Sequence, residues 1–188
     1  KLFKPHRSHS FFFAFFYVFY VSMWLNTLMN LPTKVEIVEV SPRDGLQILP
    51  NFVPTADKIK LINLAKDAGF KRIETVSFVS PKHVPQMADG TEILAAFADD
   101  SSNNQVGLAL NERGYKSAIS AKVPWICYVM AATETMSLKN ANTTIAGGLQ
   151  MTKNCIADAH AQGIKVRGSI SVTWVCPYEG DVPKERIL

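Results

Sequence analysis

From residue 35 onward the chain alternates between two patterns of apolar and polar positions. Short β-rich runs, several of them apolar at successive residues, occupy 35–40, 71–76, 106–110, 125–130 and 166–172. Between them lie stretches in which apolar residues recur every three or four positions, at 55–68, 91–98, 113–121 and 145–161. The runs predict strands covered on both faces, and the stretches predict amphipathic helices. The punctuation agrees. Thr55 can cap the first helix and Gly69 close it, while Thr143 or Thr144 can cap the last and Gly163 stop it. Five strands alternating with four helices are the signature of a parallel sheet wrapped by helices, and Pro183 stands where a fifth helix is expected to begin.

Two connections are longer than such units need, 41–54 after the first strand and 77–90 after the second. Both follow strand ends, where α/β folds build their chemistry, so both are candidate binding loops on one rim. The first opens with Ser41-Pro42-Arg43-Asp44-Gly45-Leu46-Gln47, which sets a cation, a carboxylate, an amide and a flexible glycine at the end of a strand. Taken alone these residues read equally well as a polar turn with an exposed ion pair. Glu74 holds the corresponding place in the second unit, as an acid, base or orienting group, or as a surface partner of Arg72 or Lys71.

Composition narrows the picture. The chain has 188 residues, 47% of them hydrophobic, enough for one ordinary globular domain. The formal net charge is +4, but Lys1, Lys4 and Arg7 carry most of it, so the balance gives no case for a nucleic-acid partner. Three widely spaced cysteines, Cys127, Cys155 and Cys176, match neither a disulfide framework nor a zinc motif. His83 and His160 have no partner at ligand spacing and read as surface or core histidines. Asp44 alone cannot define a metal site, because a hard divalent cation needs several ligands.

Residues 1–30 differ from the rest: a basic start precedes a strongly aromatic, apolar run over 11–25. The domain reading is therefore a hydrophobic N-terminal extension over 1–30 and the α/β domain over 31–188. The extension is read as a mis-assigned start, with Met29 opening the protein, or as a signal or anchor. Membrane contact is expected only if 11–29 is a genuine part of the protein.

Four motifs in order carry a resemblance. They are Val-Glu-Val-Ser-Pro-Arg-Asp-Gly-Leu-Gln (38–47), Ile-Glu-Thr-Val-Ser-Phe-Val-Ser-Pro-Lys-His-Val-Pro-Gln-Met-Ala-Asp (73–89), Val-Arg-Gly (166–168) and Cys-Pro-Tyr-Glu-Gly (176–180). Together they resemble the hydroxymethylglutaryl-CoA lyase family from about residue 35 to the end. The resemblance implies a TIM (β/α)8 barrel, represented here by about five βα units. It also implies cleavage of 3-hydroxy-3-methylglutaryl-CoA to acetyl-CoA and acetoacetate with Mg²⁺ or Mn²⁺.

Residue by residue, the resemblance makes Asp44 a metal ligand and places Arg43 over the carbonyl oxygen that becomes enolate-like. Glu74 organises the acid-base network, and Gln47, Ser77 and Arg167 line the substrate pocket. Lys139 and Asn140, in the loop after the fourth strand, meet the CoA moiety. Ser169 and Val175 depart from the family's usual Tyr and Gly, which bears on CoA packing and on the shape of the fifth loop. The family's His-x-His metal pair and its mobile cysteine loop belong after the fifth strand, and Cys176 is not expected to be the catalytic thiol. The expected partners are an acyl-CoA thioester and, in a homo-oligomer, a second copy of the chain. The expected compartment is the cytoplasm, or the mitochondrial matrix in a eukaryote. The resemblance also fits the N-terminal part of an enzyme that does not turn over alone. The alternatives are a metal-dependent acyl-CoA synthase of the isopropylmalate or homocitrate kind, and a degenerate half-barrel without activity.

Overall fold

A computed structural model of the chain describes residues 32–102 and 105–188. The proposed extension over 1–30 lies outside the described residues. Residues Ile37–Leu188 form one compact unit. Of the other unit, Lys1–Glu36, the described residues 32–36 are exposed and form neither helix nor strand.

The compact unit holds β1 (Val38–Glu39), α1 (Thr55–Asp67), β2 (Arg72–Ser77), α2 (Gly90–Ala95), β3 (Gln105–Ala109), α3 (Glu112–Ser120), β4 (Trp125–Ala131), α4 (Glu134–Ala141), α5 (Ile145–Ala161) and β5 (Lys165–Ser171). A small antiparallel pair, β6 (Val175–Cys176) and β7 (Gly180–Asp181), follows. The five main strands are all parallel and lie in the order β1-β2-β3-β4-β5. The alternation predicts this parallel sheet, and its curl into a half-barrel is the partial TIM barrel that the resemblance implies.

The two faces of the sheet are built differently. Outside, Ile62, Ile93, Tyr115, Ala118 and Ala159 from the helices, with Phe97 just past α2, pack on Ile73, Val76, Ala109, Ile126 and Tyr128. Inside, Val106, Leu108 and Cys127 form a second cluster with Leu110, Trp125 and Val129. Gly107 on β3 is there for close approach. A Cβ at that position would sit 2.5 Å from the Phe78 ring, which folds over the outer face just past β2.

Several expectations change. β1 is two residues long instead of the expected 35–40: only Val38 and Glu39 are in register with β2, and Val35 and Ile37 ahead of them are 81% and 69% exposed. Thr55 does not cap α1. Pro54 takes that place, and the Thr55 hydroxyl donates to Asp89 Oδ2 at 2.9 Å. Thr144 caps α5 by accepting from Gly147 N at 3.0 Å. The stretch after β4 is not a loop but the helix α4, closed by Asn142 in the left-handed region at φ 53°. Lys139 and Asn140 therefore stand, exposed, on a helix. In place of the expected fifth helix, Lys184–Arg186 makes a single 3-10 turn.

Candidate functional site

Arg43 and Asp44 sit on a single π-helical turn, Ser41–Gly45, directly after β1. Pro42, with its fixed φ, opens the turn, Asp44 N donates to Val40 O at 2.7 Å, and Leu46 N closes the turn on Ser41 O. A π-turn is an uncommon conformation that recurs at functional sites. This one packs against β2 and α1, so the Arg43 side chain points back toward the strands.

Its target is Glu74 on β2, fully buried at 0% exposure. Arg43 Nε donates to Glu74 Oε1 at 2.7 Å, and Nη2 donates to the same oxygen. Arg43 Nη1 donates to Asp44 Oδ1 at 2.6 Å. The other oxygen, Glu74 Oε2, accepts from Arg167 Nη2 on β5. Arg167 Nε and Nη2 also lie 3.3 and 3.1 Å from Cys127 Sγ, the residue across from Arg167 in the β4–β5 register. The result is a chain of charges, Asp44, Arg43, Glu74 and Arg167, that spans from the first connection to the fifth strand across the barrel interior. Glu74 is thus a buried bridge between two guanidiniums and not a surface residue. Burial pushes the Cys127 thiol up from its usual range, the Glu74 charge adds to this, and Arg167 opposes it. Burial thus favours the protonated thiol at Cys127.

A β-bulge makes the arrangement possible. Pairing between β2 and β3 shifts between Glu74 and Val76, so Thr75 is the extra residue. In a regular strand, residues three apart point to opposite faces. Here Glu74 pairs with Val106 and Ser77 with Leu108, both on the inner face, while Ile73 and Val76 keep to the outer core. Glu74 and Ser77 therefore share the interior. Ser77 Oγ and Gln47 Oε1 are buried with no hydrogen-bond partner, leaving polar atoms unpaired where a polar ligand would satisfy them.

The other candidates form a separate group. Lys139 Nζ lies 4.8 Å from the centroid of the Tyr178 ring in the β6–β7 hairpin. Glu179 of the same hairpin accepts from Thr135 N, in the first turn of α4, at 2.7 Å. Thr133 Oγ1 contacts Cys176 Sγ at 3.1 Å, and Cys176 is buried. The Cys-Pro-Tyr-Glu-Gly segment is thus tied to α4, and no described hydrogen bond links this group to Arg43 or Glu74.

Ser169 lies across from Val129 in the register. The left-handed torsion in the fifth loop falls on Val172, at φ 53°, and not on Val175, which is strand-paired with Asp181. Sequence reasoning missed Cys127, because nothing in a single run of apolar residues states which strand will lie beside it.

The residues do not complete a metal site. Asp44 is a single carboxylate, with its Oδ1 engaged by Arg43, and His83 and His160 are exposed. Among the described residues no group of three or more His, Cys, Asp or Glu side chains is placed to hold a metal ion. These residues alone therefore do not fit a bound divalent ion, which needs several oxygen or nitrogen donors.

Known proteins share this chain's sequence and fold. Residues 34–187 match the HMGL-like family. The mitochondrial hydroxymethylglutaryl-CoA lyase of Bos taurus is 42% identical over 158 residues, covering 84% of this chain and 49% of that protein. The 3-hydroxy-3-isohexenylglutaryl-CoA/hydroxy-methylglutaryl-CoA lyase of Pseudomonas aeruginosa is 40% identical, covering 85% of this chain and 53% of that protein. Among solved structures, the HMG-CoA lyase of Brucella melitensis superimposes with a TM-score of 0.76 at 42% identity, over 83% of this chain and 55% of that one. An HMG-CoA lyase from Acinetobacter baumannii, in complex with coenzyme A and 3-methylmalate, gives 0.76 at 35% identity, over 81% and 50%. The chain spans about half the length of the curated relatives it matches.

Proposed function

The chain belongs to the HMGL-like family, and from that premise we propose that it supplies the Arg43–Glu74–Arg167 half of a carbon-carbon lyase site that cleaves 3-hydroxy-3-methylglutaryl-CoA. The observation that carries this reading is the fully buried Glu74, held between the guanidiniums of Arg43 and Arg167 inside the half-barrel.

Cleavage of the C2–C3 bond begins with loss of the proton from the 3-hydroxyl. The electron pair of the breaking bond moves toward the thioester, so acetoacetate departs and acetyl-CoA forms first as its enolate. A proton then returns to carbon. The step is limited by negative charge that appears on the thioester oxygen, and a fixed cation at that oxygen lowers the barrier because it need not reorganise. Arg43 is that cation in this reading. Its Nε and Nη2 are held on Glu74 and its Nη1 on Asp44, so the guanidinium has one orientation. Glu74 and Arg167 act as positioning groups, and Gln47 and Ser77 offer their unpaired polar atoms to the substrate.

Mg²⁺ or Mn²⁺, when bound, would polarise the hydroxyl and carboxylate of the substrate. Asp44 is proposed as the one ligand that the described residues contribute. Lys139, whose ammonium lies beside the Tyr178 ring, and Asn140, exposed next to it on α4, are proposed to meet the CoA moiety. The proposed compartment is cytoplasmic or mitochondrial, as the relatives' names include both.

The test joins residues 34–187 to the part of the Brucella melitensis lyase that they do not span, and measures acetoacetate released from the thioester with Mg²⁺. Turnover by the chimera and none by the unjoined chain is expected. A chimera that folds but releases no acetoacetate overturns the reading.

A further inference from the structure

The second connection carries Pro85-Gln86-Met87-Ala88-Asp89, a stretch to which the lyase reading assigns no role. Gln86, only 4% exposed, reaches across to the first connection. Its Oε1 accepts from Val53 N at 2.8 Å, and its Nε2 donates to Asn51 O at 2.9 Å. One side-chain amide thus brackets Phe52 on both sides, as a neighbouring strand would. The Phe52 ring then lies 4.2 Å from Lys58 Nζ on α1. Lys58 is 1% exposed, and its ammonium donates to the main-chain carbonyl of Gln86 itself, closing the ring of contacts. Asp89 balances the buried charge, accepting from Lys58 Nζ at 2.8 and 3.0 Å and from Thr55 Oγ1 at 2.9 Å.

We propose that Gln86, Phe52 and Lys58 form a closed clamp that positions the first connection, and with it Arg43 and Asp44. The clamp grips residues 51–53, and the π-turn packs on α1, the helix that supplies Lys58. A loop of this length carries a large conformational entropy when free, so an arginine on it keeps one orientation only if the loop is tied at both ends. The turn onto β2 is one tie and the clamp is the other. The positioning of a reacting group rests on the lyase reading, whereas the clamp itself does not.

Hydrogen–deuterium exchange on the full chain, without substrate, separates the two. Gln86→Ala and Lys58→Met are each expected to speed exchange across 41–54 about tenfold, the factor that roughly 1.4 kcal/mol makes in an opening equilibrium, while β3 and β4 stay unchanged. Because the contacts close on themselves, the double variant is expected to exchange no faster than the faster single variant. Phe52→Leu alters only a half-exposed ring and gives the same local rise if Gln86→Ala does not fold. Unchanged exchange over 41–54, a rise shared equally by β3 and β4, or single effects that multiply in the double variant would overturn the clamp. In the chimera, Gln86→Ala is expected to lower kcat with KM held. A rise in KM alone, with the exchange result intact, overturns the positioning of Arg43 and leaves the clamp standing.

Discussion

Glu74 is the residue on which the site turns. Its carboxylate lies at 0% exposure between two guanidiniums, and such a group is costly to bury unless every charge near it is answered. Glu74→Gln removes the charge and leaves Arg43 and Arg167 facing one another across a neutral amide. The expected loss is about 2–4 kcal/mol of unfolding free energy by urea titration. A loss below about 0.5 kcal/mol would mean that the two arginines find other partners. That an Arg-Asp-Gly segment and a Glu at the next strand end bear function was legible in the sequence. What joins them was not. The bulge at Thr75, which turns Glu74 and Ser77 to one face, leaves no trace in the apolar pattern, because it depends on the strand beside it. The contact of Arg167 with Cys127 likewise depends on the β4–β5 register.

At the level of elements, alternation alone located every main strand and four of the five helices, since both patterns repeat with their own period. α4 was missed because its eight residues, Glu-Thr-Met-Ser-Leu-Lys-Asn-Ala, carry only two large apolar side chains, and Asn142 closes it where a glycine would have signalled an end. β1 was overestimated for the opposite reason. The run over 35–40 reads as strand from its apolar residues, but β2 begins only at Arg72 and its register reaches just Val38 and Glu39. α3 shows how a terminus can be improved. Lys122, exposed just past its end, is held at φ 55°, a conformation that costs a residue with a Cβ about 1 kcal/mol. Lys122→Gly is therefore expected to raise the unfolding free energy by about that amount, read by the urea midpoint at constant slope. A lower midpoint would show that the lysine makes contacts worth more than the torsion costs.

At the scale of the molecule, long-range ties hold the half-barrel's connections to its helices, and one of them titrates. Lys66 at the end of α1 donates to Asp100 Oδ2 at 2.6 Å, and Ser102 donates to Oδ1. The Lys66 ammonium, then the Ser102 hydroxyl, hold the Asp100 carboxyl far below the usual carboxylate range. A depressed folded-state pKa stabilises above the unfolded value, near 3.9, and that stability drains away as the pH falls below it. Asp100→Asn is expected to flatten the acid limb of stability between about pH 5 and 2 and to lower stability at neutral pH. An unchanged acid limb would place the acid sensitivity elsewhere.

The direct measurement is kcat for acetoacetate release by the chimera and by its Arg43→Gln variant, at saturating thioester and Mg²⁺. With Arg43 as the fixed cation at the developing enolate, the variant is expected to lose about 10²–10³ in kcat while still folding with an intact β2–β5 sheet. Equal kcat in the two proteins would contradict the role assigned to Arg43 and, with it, the reading of the Arg43–Glu74–Arg167 bridge as catalytic machinery.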